Sequence, residues 1–145
     1  MDGCVFCDIV AGTAPASVVH DDDLSLGFLD IRPVTPGHLL VIPKRHATDL
    51  AELDEATGGH LCAVAMRLAR ALRRSGLRCD GVNLFLADGE AAGQEVFHVH
   101  LHLIPRFAGD GFRLEADSAT EPSRAELDAT AERIRAARTP PAAHR

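Results

Sequence analysis

Three histidines alternate with apolar residues in the stretch from His98 to Leu103. Successive side chains of a β-strand point to opposite faces, so this spacing predicts that His98, His100 and His102 project together from one face. The valine and leucines between them would enter the opposite layer. An ordinary amphipathic strand with solvent-exposed histidines is the plain alternative. Burying three imidazoles is costly unless each finds a polar partner, which makes this face a candidate for chemistry.

Two kinds of chemistry use such a row of imidazoles. In the first, the three histidines bind a catalytic metal ion, because H-x-H on a strand presents two imidazoles to one ion. In the second, one imidazole attacks phosphorus and later leaves it readily. That reaction needs donors for the phosphate charge, and the turn at Gly93, Gln94 and Glu95 offers backbone N–H groups just before the strand. It fits the sequence better, because no Asp follows the histidines to complete a metallohydrolase ligand set.

Two of the four cysteines form a C-x-x-C pattern at Cys4 and Cys7. The pattern is typical of a redox pair or of half a metal site, and free thiols without a metal are the third alternative. Cys62 and Cys79 are expected as packing or surface thiols.

A mixed fold is predicted around the histidine strand. Five short strands are expected at residues 17–20, 24–29, 38–42, 81–86 and 97–104. Apolar residues at 3.6-residue spacing predict a long helix from about Asp54 to Ser75, ended by Gly76. Ser123 and Glu126 form a capping box that begins a last helix at about 123–138. The result is an α+β fold with a mostly antiparallel sheet and the long helix on one face.

Length and charge exclude several classes of protein. A chain of 145 residues suits a single domain with its own core. The 15 basic and 21 acidic residues give a formal charge of -6, and a negative surface disfavours nucleic acid as a partner. Charges interrupt every apolar run before the roughly 20 residues of a membrane-spanning helix. The N-terminal residues lack the basic region of a secretory signal, so we expect a cytoplasmic protein that does not contact a membrane.

The row of histidines also resembles a family signature. His98–Ile104 matches the His-φ-His-φ-His-φ-φ pattern of the histidine triad (HIT) superfamily, where φ is an apolar residue. Further segments resemble its bacterial branch, at Cys4–Val10, Phe28–Pro33, Pro36–His46 and Gly89–Arg106. The resemblance covers about residues 4–107 and implies a HIT-like fold. We therefore expect one domain over 1–145, with 108–145 as a C-terminal extension.

The resemblance implies an enzyme that acts on nucleotides. Members are nucleotide hydrolases or transferases that act at an α-phosphorus and often release a nucleoside monophosphate. By position, His100 would form a nucleotidyl-imidazole intermediate, with His98 beside it in the catalytic set. His102 would hydrogen bond the phosphate, and Gln94 would contact the leaving group or the scissile oxygen. A purine nucleotide, a nucleoside phosphoramidate or a short nucleotidyl ester is the expected substrate, and a nucleotide-binding regulator without turnover is the alternative.

Other residues match the nucleotide pocket of the family. The implied contacts are Phe6, Ile9, Phe28 and Ile31 for the base, Asp30 for the ribose hydroxyls, and Asn83, Asp88, Gly93, Gln94, Glu95, His100 and His102 elsewhere in the site. The four apolar residues suit core packing equally well. Glu95 stands where several animal members have a phosphate-contacting serine, so only its backbone N–H carries over. Its charge opposes a polyphosphate tail.

A metal and a partner are implied by the same resemblance. Four ligands would form a structural zinc site: Cys4, Cys7, His46 and His98. This closed set would tie the N-terminal turn to the catalytic strand. A homodimer is implied, with the long helix and a sheet edge at its interface. The other histidines receive no role: His20 and His60 are expected at the surface, His144 in the tail and His38 near the site.

Overall fold

The structure, a computed structural model, describes residues 3–117 and 120–138. The chain divides into two compact units, Met1–Phe112 and Arg113–Arg145. The elements follow in the order α1 (Val5–Val10), β1 (Val18–Asp21), β2 (Ser25–Leu29), β3 (Leu39–Pro43), α2 (Glu55–Arg74), β4 (Gly81–Phe85), a 3-10 turn (Glu90–Ala92), β5 (Leu101–Arg106) and α3 (Arg124–Ala137). The single domain over 1–145 stays a prediction. The tail after residue 138, which includes His144, lies outside the described residues.

Within the described residues, five strands form one sheet in the order β1-β2-β3-β5-β4. Each neighbouring pair is antiparallel, which confirms the predicted α+β class. The register pairs His102 with Leu40 on one side and with Phe85 on the other. His102 therefore lies in an interior strand of the sheet. The edge strand β1 has a register shift between Val18 and His20 against β2.

The ends of the hairpin and the long helix follow from local capping. Asp22 turns the chain between β1 and β2 by accepting the N–H groups of Leu24 and Ser25 at 2.8 and 2.7 Å. Asp54 caps α2 by accepting the N–H of Thr57 at 2.9 Å. The predicted helix of 54–75 thus becomes Glu55–Arg74, flanked by its two caps.

Apolar clusters cover the two faces of the sheet. The larger one joins the buried side of α2 to one face; its buried members are Leu39, Val41, Ala47, Leu61, Val64, Ala65, Leu68, Leu72, Val99 and Leu103. The smaller one lies on the other face around α1; its buried members are Phe6, Leu26, Phe28, Leu40 and Ile42. Period-two alternation along β3 and β5 separates them. The histidine side chains share the face of the smaller cluster.

The loop before β3 packs closely against the end of α2. Gly37 has φ +95°, and a Cβ there would lie 2.9 Å from Cδ1 of Leu77. Only glycine combines this backbone conformation with so close an approach. The loop is also held by the Thr35 hydroxyl, which donates to the carbonyl of Pro105 at 2.6 Å. These contacts fix the position of His38, the residue just before β3.

The prediction that the histidine strand begins at residue 97 is wrong. β5 begins at Leu101, because the ladder with β3 starts at the pair Val41 and Leu101. Two physical causes end the ladder there. Pro43, the last residue of β3, has no N–H to donate, and the carbonyl of His98 accepts the ring N–H of His100 instead of a strand partner. The alternation of side chains between the two faces still continues before β5, since Val99 is buried in the same larger cluster as Leu103.

The second unit contains the predicted C-terminal helix. α3 has the expected capping box, in which Ser123 accepts the N–H of Glu126 and Glu126 accepts the N–H of Ser123. Leu127 and Ile134 on this helix are 42% and 63% exposed. No described helix of either unit is long and apolar enough to cross a membrane.

Candidate active site

His100 is held by a single backbone contact. Its Nδ1 lies 2.7 Å from the carbonyl oxygen of His98. A carbonyl only accepts, so Nδ1 carries the proton and Nε2 keeps its lone pair when the ring is neutral. No described group bonds Nε2, and no buried side-chain nitrogen in the described residues lacks a partner. The residue is 7% exposed, and because no fully buried side-chain nitrogen in the described residues lacks a partner, the unbonded Nε2 must be accessible to solvent. In its neutral form His100 therefore presents the Nε2 lone pair to the solvent.

His102 lies beside His100 and has one ring nitrogen bonded to His38 and the other unbonded. The centroids of the His100 and His102 rings are 5.0 Å apart. Nδ1 of His102 lies 2.9 Å from Nε2 of His38, and Nε2 of His102 has no partner among the described residues. Burial, reinforced by the neighbouring His100 and His38, lowers the pKa of His102 to about 4. The His102 ring is thus neutral at physiological pH.

His98 is fully buried, and it contacts different groups from the other two rings. Its Nε2–H donates to the carbonyl of Pro43 at 2.8 Å. Nδ1 then holds a lone pair, and it lies 3.5 Å from Sγ of Cys4 and 3.6 Å from Sγ of Cys7. Burial lowers the pKa of His98, which favours the neutral ring that a metal ion needs.

Those two thiols and His46 complete a compact ligand set with His98. Nδ1 of His46 lies 3.3 Å from Sγ of Cys7, and the four ligand atoms lie within 4.8 Å of one another. Tetrahedral zinc, with bonds of about 2.3 Å to sulfur and 2.0–2.1 Å to nitrogen, needs S···N separations of about 3.5 Å. The observed separations fit that value. Burial and the adjacent Cys4 raise the pKa of the Cys7 thiol, so its proton must leave when a metal binds.

The three histidines of the row do not converge on one metal ion. In the described residues, two groups of ligand atoms could hold a metal, and neither includes His100. One is the cysteine and histidine set with His98, and the other joins Asp30, His38 and His102. This arrangement does not support the metallohydrolase alternative, because each ring of the row points to a different partner.

Gln94 has its whole amide bonded to backbone. Its Nε2 donates to the carbonyls of Thr48 and Val96 at 2.7 and 3.1 Å, and its Oε1 accepts the N–H of Gly89 at 2.8 Å. The side chain is 4% exposed. In this arrangement Gln94 joins three loop segments and has no donor left for a leaving group.

The turn at Gly93, Gln94 and Glu95 lies just before the three histidines. Two of its three backbone N–H groups donate to carbonyls within the same loop. The N–H of Gly93 donates to the carbonyl of Glu90 at 2.9 Å, and that of Gln94 donates to Gly89 at 3.1 Å. The N–H of Glu95 has no partner among the described residues, and its side chain is exposed. Glu95 is therefore the backbone donor that stays available to an anion.

The residues predicted to hold the base divide into buried and exposed ones. Phe6 and Phe28 are 7% and 3% exposed, with ring centroids 5.5 Å apart, and Ile9 packs against the same cluster. The Phe6 ring also lies 5.2 Å from the ring of His100. Ile31 is 89% exposed and contributes nothing to the core. A base pocket formed by these side chains stays a prediction.

The predicted polar contacts lie at different distances from the row. Asp30 is near it, since Oδ2 lies 3.5 Å from Nε2 of His38 and the side chain is 19% exposed. Asn83 accepts a hydrogen bond from the guanidinium of Arg106. Asp88 is exposed, and it accepts the N–H of Leu50 at 2.9 Å. Roles of these residues toward a nucleotide stay predictions.

His38 is the neighbour of the row that sequence reasoning left without a role. It is 4% exposed, and its Nδ1 accepts the N–H of Val34 at 3.0 Å. Burial lowers its pKa, against the opposing effect of Asp30. Phe85, whose ring lies 5.9 Å from that of His102, was also missed. Only strand order could have indicated both, because His38 immediately precedes β3 and Phe85 ends β4, and these two strands flank β5.

His20 and His60 are not ordinary surface histidines. Both donate Nε2–H to the same oxygen of Asp22 at 2.7 Å, and the two side chains are only 23% and 28% exposed. Burial acts to raise the pKa of Asp22, but bonds from these histidines and from backbone N–H groups lower it far below its usual value. This cluster joins the β1–β2 turn to α2.

Fold and side-chain arrangement together define a histidine triad protein. The family model described as HIT domain matches residues 11–109, so the chain belongs to the HIT family. The crystal structure of a HIT family protein from Bacillus anthracis superposes with a TM-score of 0.88 at 39% identity, covering 95% of this chain and 99% of that one. Its likeness confirms the predicted HIT-like fold.

Two further relatives bear on metal and activity. A zinc-bound histidine triad family protein from Mycobacterium smegmatis superposes with a TM-score of 0.74 at 46% identity, covering 94% of this chain and 98% of that one. An Arabidopsis thaliana protein named adenylylsulfatase HINT3 is 38% identical over 103 residues, covering 71% of this chain and 52% of its own length. The family thus includes a zinc-bound member and a member named as a hydrolase.

Proposed function

We propose that the protein is a nucleotide hydrolase or transferase in which His100 attacks the α-phosphorus of a nucleotide. One observation carries the proposal: Nδ1–H of His100 is fixed on the carbonyl of His98 at 2.7 Å, which leaves the Nε2 lone pair open to solvent. The carbonyl also stabilises the positive charge that the ring acquires when Nε2 forms a bond. His102 lies beside it to donate to the phosphate.

The reaction has two displacements at phosphorus. First, the Nε2 lone pair of His100 forms a phosphorus–nitrogen bond and the bond to the leaving group breaks. The leaving group takes that electron pair, and an amine or alcohol leaving group also takes a proton from solvent. Second, water attacks the same phosphorus and gives up a proton to solvent, the phosphorus–nitrogen bond breaks, and His100 recovers its lone pair. The products are a nucleoside monophosphate and the released leaving group. An alcohol or amine in place of water would make the reaction a transfer.

Hydrogen-bond donors around the phosphate would stabilise the negative charge that accumulates on its oxygens in the transition state. Nε2–H of His102 and the N–H of Glu95 are the available donors that lie near the nucleophile in space or sequence. Such donors stabilise the transition state because they act where negative charge accumulates. The Glu95 carboxylate is exposed beside this position and disfavours long polyphosphate tails.

The substrate class is a purine nucleoside phosphoramidate or a short nucleotidyl ester. Asp30 would accept from the ribose hydroxyls, and the apolar side chains of Phe6, Ile9, Phe28 and Ile31 would border the base. The relative named adenylylsulfatase supports a small leaving group on an adenylyl unit. Adenylyl sulfate therefore belongs among the substrates to test.

A structural zinc ion is proposed at Cys4, Cys7, His46 and His98. The fit of their separations to a tetrahedral site and the zinc-bound relative support it. The ion would hold α1 against the segment that carries the nucleophile. It supplies no step of the reaction, because its four ligands leave no open position.

A homodimer is proposed through α2 and the β4 edge of the sheet. The exposed apolar residues Met66 on α2 and Leu84 and Phe85 on β4 support it, at 52%, 45% and 42% exposure. Light scattering coupled to gel filtration measures the mass directly, and a monomer at all concentrations would contradict this part. Cytoplasmic location stays a prediction.

The test of the proposed function is the substitution His100→Ala. We expect it to lower hydrolysis of adenosine and guanosine phosphoramidates and adenylyl sulfate by at least about 10³-fold, because the nucleophile is removed. Binding of the nucleoside monophosphate should remain, and mass spectrometry of rapidly quenched wild-type enzyme should find a nucleotidyl adduct on His100. His60→Ala is the matched control, since it removes another half-buried histidine outside the site.

Two outcomes would overturn the proposal. Undiminished hydrolysis by the His100→Ala variant would mean that another group attacks phosphorus. Tight binding of nucleoside monophosphates without turnover of any substrate would favour a nucleotide-binding regulator instead.

A further inference from the structure

Both histidines of the proposed zinc site direct Nδ1 at the metal, so the proton of each neutral ring lies on Nε2. Nδ1 of His46 lies 3.3 Å from Sγ of Cys7, and Nδ1 of His98 lies 3.5 Å from Sγ of Cys4. Nε2–H of His98 donates to the carbonyl of Pro43 at 2.8 Å. A ligand ring whose second nitrogen is held in this way keeps the orientation that the metal needs.

Thr48 holds the other ligand ring. Its Oγ1 lies 3.4 Å from Nε2 of His46, which donates to this hydroxyl once Nδ1 faces the metal. Threonine branches at Cβ and has few χ1 rotamers, so the hydroxyl is placed before the metal binds. Within the described residues, this is the one hydrogen bond to Nε2 of His46. The orientation of that ligand therefore depends on a single hydroxyl.

The backbone of Thr48 is held from both sides. Its N–H donates to Oε2 of Glu52 at 2.8 Å, and its carbonyl accepts Nε2–H of Gln94 at 2.7 Å. Gln94 is 4% exposed, and it precedes Glu95, whose N–H has no partner among the described residues. One residue thus contacts both a ligand of the zinc site and the glutamine that fixes the turn before the nucleophile.

Two further hydrogen bonds tie the segment after His46 to the neighbouring loops. The carbonyl of Ala47 accepts the N–H of Val99 at 2.8 Å, and the N–H of Leu50 donates to Asp88 at 2.9 Å. A network of this kind carries a displacement from one segment to the next. A shift of His46 should therefore reach the turn through residues 47–50.

We propose that Thr48 is a positioning residue that couples the zinc site to the turn at residues 93–95. Its hydroxyl keeps Nδ1 of His46 directed at the metal, and its carbonyl keeps the Gln94 amide in place. The inference rests on the proposed zinc site, and the use of the turn for an anion rests on the proposed function. The hydrogen bonds themselves depend on neither.

Two substitutions separate the hydroxyl from the backbone contacts of Thr48. Thr48→Val keeps the shape without the hydroxyl, whereas Thr48→Ser keeps the hydroxyl, and both retain the backbone N–H and carbonyl. Water can reach this side of the ring from a surface cavity that His46 lines, and it can partly replace a lost hydroxyl. Loss of an outer-shell partner costs about 10–100-fold in metal affinity, so we expect about tenfold weaker zinc binding for Thr48→Val. Thr48→Ser should bind zinc nearly as tightly as the wild type.

Competition with a fluorescent chelator measures the zinc affinity of the reduced, full-length proteins, and thermal melting checks that each variant is folded. Thr130→Val is the matched control, because it removes an exposed threonine hydroxyl on α3 that bonds the carbonyl of Glu126. Equal affinities of wild type and Thr48→Val, or a Thr48→Ser variant as weak as Thr48→Val, would overturn the inference. A wild type that takes no zinc from the chelator would overturn it together with the proposed zinc site, whereas hydrolysis by that protein would still support the proposed function.

The coupling to the turn has its own readout, because the chain contains one glutamine and one asparagine. The side-chain amide pairs in a ¹H–¹⁵N spectrum of the full-length protein therefore belong to Gln94 and Asn83. Exchange of zinc for cadmium, a larger ion that thiolate ligands also bind, should shift the Gln94 pair in the wild type. It should leave the pair of Asn83, which accepts from Arg106 on another part of the sheet. A Gln94 pair that does not respond in the wild type, or that responds equally in Thr48→Val, would overturn the coupling.

Discussion

Gln94 offers a quantitative test of how the loops around the nucleophile are held. Its amide satisfies the carbonyls of Thr48 and Val96 and the N–H of Gly89, and it is almost completely buried. Gln94→Leu keeps the approximate volume but leaves all three backbone groups without this partner. At about 1 kcal/mol for each lost hydrogen bond, the free energy of unfolding should fall by about 3 kcal/mol.

Urea denaturation followed by circular dichroism measures this loss. A fall of about 3 kcal/mol is a large part of the 5–15 kcal/mol that is typical of small domains, so the midpoint should move clearly. Gln94→Glu should lower the stability at least as much, because it turns the donor toward Thr48 and Val96 into an acceptor and adds a buried charge. Glu95→Gln, an exposed neighbour, should change it by less than about 0.5 kcal/mol.

The alternative role of Gln94 predicts a different pattern. If the amide contacts the leaving group or the scissile oxygen, Gln94→Leu should abolish hydrolysis while the unfolding midpoint stays at the wild-type value. That result would refute the structural reasoning. Loss of stability with residual activity in the folded fraction would support it.

Two further predictions concern parts of the structure outside the nucleophile. Cys7→Ser should remove bound zinc, measured by plasma mass spectrometry of the purified protein, and should lower the melting temperature; wild-type protein without zinc and with unchanged melting in chelator would contradict this. Asp22→Asn should lower the free energy of unfolding by about 1–3 kcal/mol, because the bonds from His20 and His60 lose the charge on their acceptor. The folded pKa of Asp22 lies below its unfolded value, so its contribution is complete above about pH 4 and is lost as the pH falls further; denaturation curves of variant and wild type should therefore converge in acid.

The sequence predicted those features that depend on neighbouring residues along the chain. The alternation of His98, His100 and His102 with apolar residues places the rings on one side, as the structure confirms. The boundaries of α2 and the capping box at Ser123 also follow from local rules. In each case the interacting groups lie within a few residues of one another.

Features that depend on distant segments could not be read in the same way. The true start of β5 is set by the side chain of His100 and by Pro43, which lies on another strand. The roles of His38 and Asp22 depend on which strands and helices lie next to each other, and no periodicity records that. The proximity of Cys4 and Cys7 to His46 and His98 came from a family resemblance and not from spacing, since these residues span 94 positions.

The exposed edge at β1 has a consequence for solubility. An edge strand presents unpaired N–H and C=O groups to which a second chain can add, and the exposed Val18 and Val19 would favour such an addition. The register shift between Val18 and His20 interrupts the regular spacing of those groups. An incoming strand therefore meets an irregular row of backbone groups, and we expect β1 to be a poor template for open-ended aggregation along this side.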